Sequence, residues 1–322
     1  MKTIHRNYAK ESGDFQRLCR FMIAHAAHLR RHSTWCLARF ADWPYGPVGG
    51  KLPTPGFLSQ NAHIWFDGFD LVAGLAISEN GRSDVAILTA AGYRFLFAEI
   101  LQWIVDNWGE HRPELSIEIS ARQEPEAALL EDHGFSCESS FYTFHYDLQD
   151  GLAGRVPLEP GFAIVDMQTR PDYRAQRVLR YDAFRGPGDL SAEELDRLVA
   201  LYSHARSSPI YHAPTDLCVV APDGTFVSGC EALLDAHNAL ADVERVCTHS
   251  RYRRRGFARA VIQECLYRLR DMGLERAYIT GYSPEAIGLY GSLGAQAQSE
   301  RLLYKRKGGK KWKTQHLEDV RG

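Results

Sequence analysis

A segment rich in glycine and proline divides this chain near its middle. Between Asp147 and Gly161 the sequence has three glycines and two prolines and little hydrophobic periodicity, which is typical of a linker. At 322 residues the chain is longer than one hydrophobic core usually accommodates, so two cores are expected. We therefore predict a domain over residues 1–150, a linker over 151–160, a second domain over 161–307 and a basic, flexible tail over 308–322.

The two sides of this segment can be divided into the same order of elements. On each side we predict helices, then strands, one long amphipathic helix, a further strand, a short helix and a closing strand. The long helices are predicted over Phe95–Trp108 and Gly256–Met272, and the closing strands over Ser139–Tyr146 and Arg301–Lys305. This repetition indicates an internal duplication and favours an α/β (α+β) fold with two similar domains.

Composition and charge narrow the class of protein. Hydrophobic residues make up 45% of the chain and charged residues 24%, as in soluble globular proteins, and the formal net charge of −2 argues against nucleic acid as the main partner. The seven cysteines are widely scattered, which argues against a disulfide framework and a metal site. The sequence has no apolar run of membrane-spanning length and no signal-peptide pattern at its start, so we expect a cytoplasmic protein without a membrane partner.

The stretch from Val243 to Ala260 joins the end of a predicted strand directly to the start of the second long helix. It holds five arginines between Arg251 and Arg259, with Gly256 among them. The first N–H groups of a helix have no acceptor inside the helix, and the helix dipole is positive at that end. Glycine also lets a ligand approach the backbone closely. The stretch therefore predicts a binding site for an anionic ligand such as a pyrophosphate.

This stretch resembles the acyl-CoA signature of the GNAT superfamily, Arg/Gln-x-x-Gly-x-Gly/Ala, through Arg253, Gly256 and Ala258. Downstream, Ala286–Ala295 is similar to the family's Ala-x-x-Leu-Tyr-x-x-x-Gly-Phe block. The resemblance covers about residues 161–305 in the family's element order. It implies two GNAT-like domains of the tandem, mycothiol-synthase-like type, each a mixed, mostly antiparallel, partly splayed sheet flanked by helices.

The resemblance also implies acetyl-CoA (coenzyme A) as co-substrate, without a metal. In the family the splayed strand and the following loop contact this molecule, and Ser283 stands where many members carry an asparagine, so we expect a weaker polar contact there. The implied binding residues are Val246, Cys247, Thr248, Arg253, Arg254, Arg255, Gly256, Phe257, Ala258, Arg259 and Ser283.

Two residues match the family's catalytic positions. Glu244 lies at the strand position of the frequent general base, which takes the proton of the attacking amine, usually through water. Tyr290 matches the general acid that protonates the departing thiolate. The alternatives are that Glu244 is an exposed strand residue or a partner of Arg245, with Asp242 as the substitute base, and that Tyr290 is only a packed aromatic.

Cys247 is a rival candidate, because a thiol beside the site would allow a covalent acyl-enzyme. Such a thiol needs an adjacent base, and the spacing to His249 does not establish contact. A buried, inert thiol is therefore favoured.

The first half lacks the features that carry this chemistry. Aligning Gly134 with Gly294 places Leu130 opposite Tyr290, so the predicted acid is absent. The loop before the first long helix has a single arginine, Arg94. We expect a degenerate copy that shapes the acceptor pocket or stabilises the second domain, the alternative being an unrelated α/β domain.

These residues together predict an acetyl-CoA-dependent N-acyltransferase that moves an acetyl group to the amine of a small molecule by direct attack in a ternary complex. The protein is expected to be a monomer or a homodimer. One alternative is a non-catalytic acyl-CoA-binding or sensing protein, because the arginine-rich loop fits binding equally well. A more remote alternative is nucleic-acid binding through the arginines and the basic tail. The acceptor amine itself stays open.

Overall fold

The computed structural model describes residues 3–29, 32–33, 35–47, 50–68, 70–188 and 190–308. The described residues form nine α-helices and twelve β-strands. The helices are α1 (Asp14–Leu29), α2 (Leu37–Asp42), α3 (Phe57–Asn61), α4 (Leu96–Asn107), α5 (Glu124–Asp132), α6 (Tyr173–Arg185), α7 (Ala192–Ala205), α8 (Phe257–Asp271) and α9 (Pro284–Gly291). The strands are β1 (Ile4–Asn7), β2 (Ala62–Asp67), β3 (Leu71–Ser78), β4 (Asp84–Thr89), β5 (Glu114–Ser120), β6 (Ser136–Asp147), β7 (Ala163–Asp166), β8 (Asp216–Val220), β9 (Phe226–Asp235), β10 (Leu240–Thr248), β11 (Arg276–Gly281) and β12 (Ala297–Lys307).

Contacts divide the described residues into two compact units. Unit 1 takes in those within 1–43, 53–141 and 299–322, and unit 2 those within 44–52 and 142–298. The predicted linker 151–160 falls within unit 2. The domain boundaries drawn from the sequence stay a prediction, because these units reflect contacts and not duplication. The predicted tail lies outside the described residues except for Gly308.

Unit 1 contains a mixed, mostly antiparallel sheet in the order β1-β2-β3-β4-β5-β12. Its parallel pair is β4 with β5, and the neighbouring pairs are antiparallel. Helix α4 packs on this sheet through Leu96, Ile100 and Ile104, which are almost fully buried with Trp65 and Leu115. Their spacing of four residues places them on one face of the helix, as the sequence predicts.

Unit 2 repeats this plan with β7, β8, β9 and β10 in antiparallel order, followed by β11 in parallel and the end of β6. Helix α8 covers one face, with Val261 and Leu266 packed in a cluster that includes Val243. Helix α6 packs on the other face, where Leu179 lies in a cluster with Cys247. Both units therefore confirm the predicted mixed sheets with flanking helices.

The closing strands are exchanged relative to the order of the sequence. β12, the last strand of the second half, pairs with β5 in unit 1 over Arg301–Lys307. β6, the last strand of the first half, pairs with β11 in unit 2 over Tyr142–Asp147. Alternation along a strand fixes which face is buried but not which neighbour it pairs with, so the sequence does not predict this exchange.

None of the helices in the described ranges has both the length and the hydropathy that a bilayer crossing needs.

Candidate active site

Strands β10 and β11 separate partway along their length. Their parallel pairing begins at Leu240 with Arg276 and ends at Asp242 with Tyr278, although β10 continues to Thr248. Backbone groups of a strand point alternately to its two neighbours, so the later part of β10 offers those on its β11 side to a ligand. This is the partly splayed sheet that the resemblance implies, and Val246, Cys247 and Thr248 lie on the open part.

A bulge in β10 lies just beyond the point where the strands separate. The pairing with β9 shifts register between Glu244 and Cys247, and Arg245 within the bulge has a φ of 54°. Bulges bend a strand and increase its twist. A positive φ is strained for a residue with a side chain, and such residues concentrate at functional sites.

The open edge of β10 leads directly to the N-terminus of α8. Gly256 is the cap residue at φ 82°, and no side chain caps this helix. Space for a Cβ at Gly256 is free of neighbours within 4 Å, so glycine is required here for its backbone conformation. The amides at the start of α8, on Phe257, Ala258 and Arg259, have no acceptor within the helix. An uncapped helix start with its positive dipole end suits a phosphate.

Three of the predicted arginines hold this loop in place. Arg255 pairs with Glu159, its Nε lying 2.9 Å from the carboxylate. Arg259 donates to the Ser292 carbonyl at 2.9 Å and to its hydroxyl at 2.6 Å. Arg253 Nε contacts the Thr248 carbonyl oxygen at 3.4 Å.

Arg254 is exposed and has a φ of 65° in the same loop. Ser283, the polar residue predicted near the cofactor, instead caps α9: its hydroxyl accepts a hydrogen bond from the Ala286 amide at 3.3 Å. Arg254 is therefore the better candidate of the two for a direct contact to a bound anion.

The two predicted catalytic residues are close enough to interact electrostatically. Tyr290 on α9 is only 6% exposed, and its backbone carbonyl accepts a hydrogen bond from the Tyr146 hydroxyl at 2.7 Å. Burial raises the pKa of Tyr290, and the nearby Glu244 carboxylate raises it further. The phenol is therefore protonated at neutral pH, as a proton donor must be.

Cys247 lies in apolar surroundings. Its side chain is buried in a cluster with Leu179, Cys218 and Phe226. Burial raises the pKa of the Cys247 thiol to about 11, although Arg180 and Arg177 oppose this rise. Because the thiolate is the nucleophilic form, this environment argues against a covalent role.

Sequence reasoning missed a pocket of charged residues on the α6 face of unit 2. We call it the arginine pocket and define it by its charged lining: Arg177, Arg180, Arg206, Asp216, Glu231 and Arg245. Gln176 and Arg177 are buried on the face of α6 that also carries Leu179. Polar residues on the core-facing side of a predicted helix are the signal that was available in the sequence.

The floor of the arginine pocket is a buried ion network. Arg180 Nη2 lies 2.9 Å from Asp216 and 3.1 Å from Glu231, and Arg245 Nη1 lies 2.7 Å from Glu231. Burial alone would raise the pKa of Glu231, but Arg245 and Arg180 lower it to about 2. Burial raises the pKa of Asp216 in spite of Arg180.

Unit 1 has the same backbone plan as unit 2, but the loop before its long helix lacks the cluster of arginines. β4 and β5 pair only from Asp84 to Val85 before they separate. Arg94 is paired with the buried Glu126 of α5, its Nη2 donating at 2.6 Å. Leu130, opposite Tyr290 in the aligned halves, is fully buried.

Comparisons with known proteins give one family match and several structures of similar fold. The family model described as the acetyltransferase (GNAT) family matches residues 187–295. A GCN5-related N-acetyltransferase from Sphaerobacter thermophilus is 18% identical over 95% of this chain and 96% of its own, with a TM-score of 0.65. A tandem GNAT protein from the clavulanic acid biosynthesis pathway is 15% identical over 96% of this chain and 99% of its own, with a TM-score of 0.67. A GNAT-family acetyltransferase from Colwellia psychrerythraea is 12% identical over 95% of this chain and all of its own, with a TM-score of 0.57.

No curated protein matches the sequence. At identities below 20% the structural likenesses show the fold alone. The family match concerns residues 187–295, within the second half of the chain. The chain therefore has the fold of tandem GNAT proteins over nearly its whole length. Residues 187–295 match the GNAT acetyltransferase family, which supports acyl transfer as the general activity.

Proposed function

We propose that this protein is an acetyl-CoA-dependent N-acyltransferase that moves an acetyl group to the amine of a small molecule by direct attack in a ternary complex. The observation that carries the proposal is the convergence of three features in unit 2. The open edge of β10 leads to the uncapped start of α8, and Glu244 on β10 interacts electrostatically with Tyr290 on α9.

The residues at this place fit acetyl-CoA, which supplies an acetyl group activated as a thioester. The amides of Phe257, Ala258 and Arg259 suit the pyrophosphate, with Arg254 adding a positive charge. The open backbone from Val246 to Thr248 suits the amides of the pantetheine arm, in the way that an edge strand accepts an extended peptide.

Each side chain has a distinct role in the proposed reaction. Glu244 removes a proton from the acceptor's ammonium group, directly or through water, because only the free amine is nucleophilic. Backbone N–H groups of the open stretch, at Val246 or Thr248, stabilise negative charge on the carbonyl oxygen. Tyr290 donates its proton to the departing sulfur as the C–S bond breaks, and the proton that the nitrogen loses on amide formation restores the phenol. Cys247 takes no covalent part.

The roles of Tyr290 and Glu244 are tested by separating turnover from binding. Tyr290→Phe should lower kcat by about 10²–10³-fold while the affinity for acetyl-CoA, measured by calorimetry, barely changes. Glu244→Gln should also lower kcat near neutral pH, and its deficit should shrink as rising pH supplies free amine. Thiol release from acetyl-CoA with a panel of amines measures both. Tyr267→Phe makes the same change on α8, where the hydroxyl lies 3.5 Å from the Ala153 carbonyl and away from the proposed site.

Equal kcat values for wild type, Tyr290→Phe and Glu244→Gln would overturn the assigned roles. Acetyl-CoA binding without thiol release for any amine would favour an acyl-CoA sensor.

A further inference from the structure

The arginine pocket contains more positive than negative charge. Four arginines line it against two carboxylates, Asp216 and Glu231. Both carboxylates already have cation partners: Arg180 pairs with each of them, and Arg245 pairs with Glu231. The excess charge therefore belongs to Arg177 and Arg206.

The guanidinium groups of Arg177 and Arg206 each lie over an aromatic ring. The Arg177 guanidinium lies 3.8 Å from the ring centroid of Tyr202, and that of Arg206 lies 3.3 Å from the centroid of Tyr173. Arg177 is only 7% exposed. Within the described ranges neither forms an ion pair with a carboxylate, and the hydrogen bond recorded for them is a long one, from Arg206 Nη1 to the Tyr202 carbonyl at 3.4 Å.

Burying a cation without an anion is costly, and this cost is visible at both residues. Burial lowers the pKa of Arg177 to about 10, with the neighbouring Arg180 adding repulsion. Burial also lowers the pKa of Arg206, although Tyr173, Tyr211 and Asp216 oppose this change. A guanidinium stacked on a ring keeps the N–H donors of its edge available, and their fixed fork matches the two oxygens of a carboxylate or phosphate. An anion bound in the pocket removes the imbalance.

The pocket lies next to the predicted general base. Cys230 and Ala232 pack on the α8 side of the sheet, so Glu231 between them faces the α6 side. Glu244 is directly opposite Glu231 in the register and shares that face. Arg245 follows Glu244 in the chain and lines the pocket. A small molecule held by the arginine pocket therefore has a short path to Glu244 and the open edge of β10.

We infer that the acceptor is an amine that also carries an anionic group, a carboxylate or a phosphate, and that Arg177 and Arg206 bind this group. The inference rests on the proposed transfer to an amine and specifies the class of acceptor. The pocket is concave, and several charged side chains converge on it, as in sites that bind small molecules. The same charges disfavour polycationic acceptors, because like charges repel in a poorly solvated site.

The test compares acceptors that differ only in the anion. Thiol release from acetyl-CoA is measured with β-alanine against β-alaninamide and with phosphoethanolamine against ethanolamine. We expect the anionic member of at least one pair to have the higher kcat/KM, and the pair that responds distinguishes carboxylate from phosphate. Arg177→Gln should raise KM for that acceptor about 10- to 100-fold with little change in kcat, since a hydrogen-bonded charge pair is lost. Arg177→Lys should recover only part of the loss, because it keeps the charge without the fork.

Two further measurements separate binding from folding. Arg185→Gln removes an exposed charge from the same helix and should change neither KM nor kcat. The ligand-free Arg177→Gln protein should melt no lower than wild type, because the substitution removes a buried cation that has no anion partner. A clear fall in its melting temperature would instead identify Arg177 as a structural residue and overturn the inference.

The test also separates this inference from the proposed function. Acetylation of neutral and anionic amines with equal kcat/KM, unaffected by Arg177→Gln, would overturn the anionic acceptor and leave the acyltransferase standing. Thermal stabilisation by inorganic phosphate or glutarate that is lost in Arg177→Gln, without thiol release from any amine, would support the anion site while the proposed transfer failed.

Discussion

Replacing Arg180 by methionine tests whether the buried ion network under the arginine pocket stabilises unit 2. The side chain of Arg180 is 10% exposed, and its two carboxylate partners are 1% and 4% exposed. In Arg180→Met, Asp216 keeps hydrogen bonds from Gln176 and Tyr211 but loses its cation, and Glu231 keeps only Arg245. Removing one partner of a buried ion pair typically costs about 3–5 kcal/mol.

This cost corresponds to a large shift in thermal unfolding. For 150–250 residues, 1 kcal/mol changes Tm by about 2–4 °C, so Arg180→Met should lower Tm by roughly 6–20 °C. Arg174→Met is the matched control on the same helix, because Arg174 pairs with Asp196 at the surface, where both side chains are about half exposed or more. Surface pairs contribute about 0–1 kcal/mol, so the control should shift Tm by at most about 4 °C. Circular dichroism measures both.

The loss should depend on pH in a defined direction. In wild type the pKa of Glu231 is lowered from 4.5 to about 2, so its contribution to stability is complete above pH 4.5 and is lost as pH falls towards 2. Without Arg180, burial dominates, and the pKa of both carboxyl groups rises. A carboxyl whose pKa is higher in the folded than in the unfolded protein destabilises the fold most when it is charged. The difference between Arg180→Met and wild type should therefore be largest near pH 7 and shrink as pH falls towards 5.

A double variant supplies the decisive comparison. Adding Asp216→Asn to Arg180→Met removes the carboxylate that has lost its cation, so the double variant should be more stable than the single one. A Tm for Arg180→Met within about 2 °C of wild type, or a double variant less stable than the single one at pH 7, would refute the reasoning about uncompensated buried charge.

Two predictions concern the anion loop and the first unit. Arg254→Gly should weaken coenzyme A binding in calorimetry without lowering Tm, because glycine accepts the φ of 65° at this position, and Arg254→Glu should weaken it further; unchanged affinity in both would show that Arg254 does not contact the phosphates. Leu130→Ala should lower the free energy of unfolding by about 2–5 kcal/mol through a cavity, measured by denaturant titration. Its kcat per folded molecule should equal that of wild type, and a loss of kcat without a loss of stability would contradict a purely packing role.

The parts of the fold that the sequence predicted are those set by local pattern. The second long helix, predicted over Gly256–Met272, is α8 at Phe257–Asp271, because its apolar spacing and the preceding glycine are local signals. β1 was not predicted. It is a four-residue strand, Ile4–Asn7, whose residues are mostly exposed, so it has neither the length nor the alternation that indicates a strand.

The candidate site likewise has one part that a local sequence pattern predicts and one part that it does not. The loop from Arg253 to Gly256 is contiguous, and its resemblance to a family motif made it recognisable. The arginine pocket brings together Arg180 and Glu231, which lie 51 residues apart and meet only when α6 packs on β9. No spacing rule connects such positions.

The two units share the separation of two parallel strands but differ in the charges that lie beside it. In unit 1, β4 and β5 separate after two paired positions. In unit 2, β10 and β11 separate after three. The loop before α4 differs from the loop before α8 in its charge. Its single arginine, Arg94, is paired with Glu126, whose side chain is 4% exposed, so a carboxylate lies beside this helix start. A phosphate there would have to displace that ion pair and meet the negative charge of Glu126. Unit 1 therefore keeps the separated strands, but among the described residues the arginine-rich loop that we propose for acetyl-CoA is found only in unit 2.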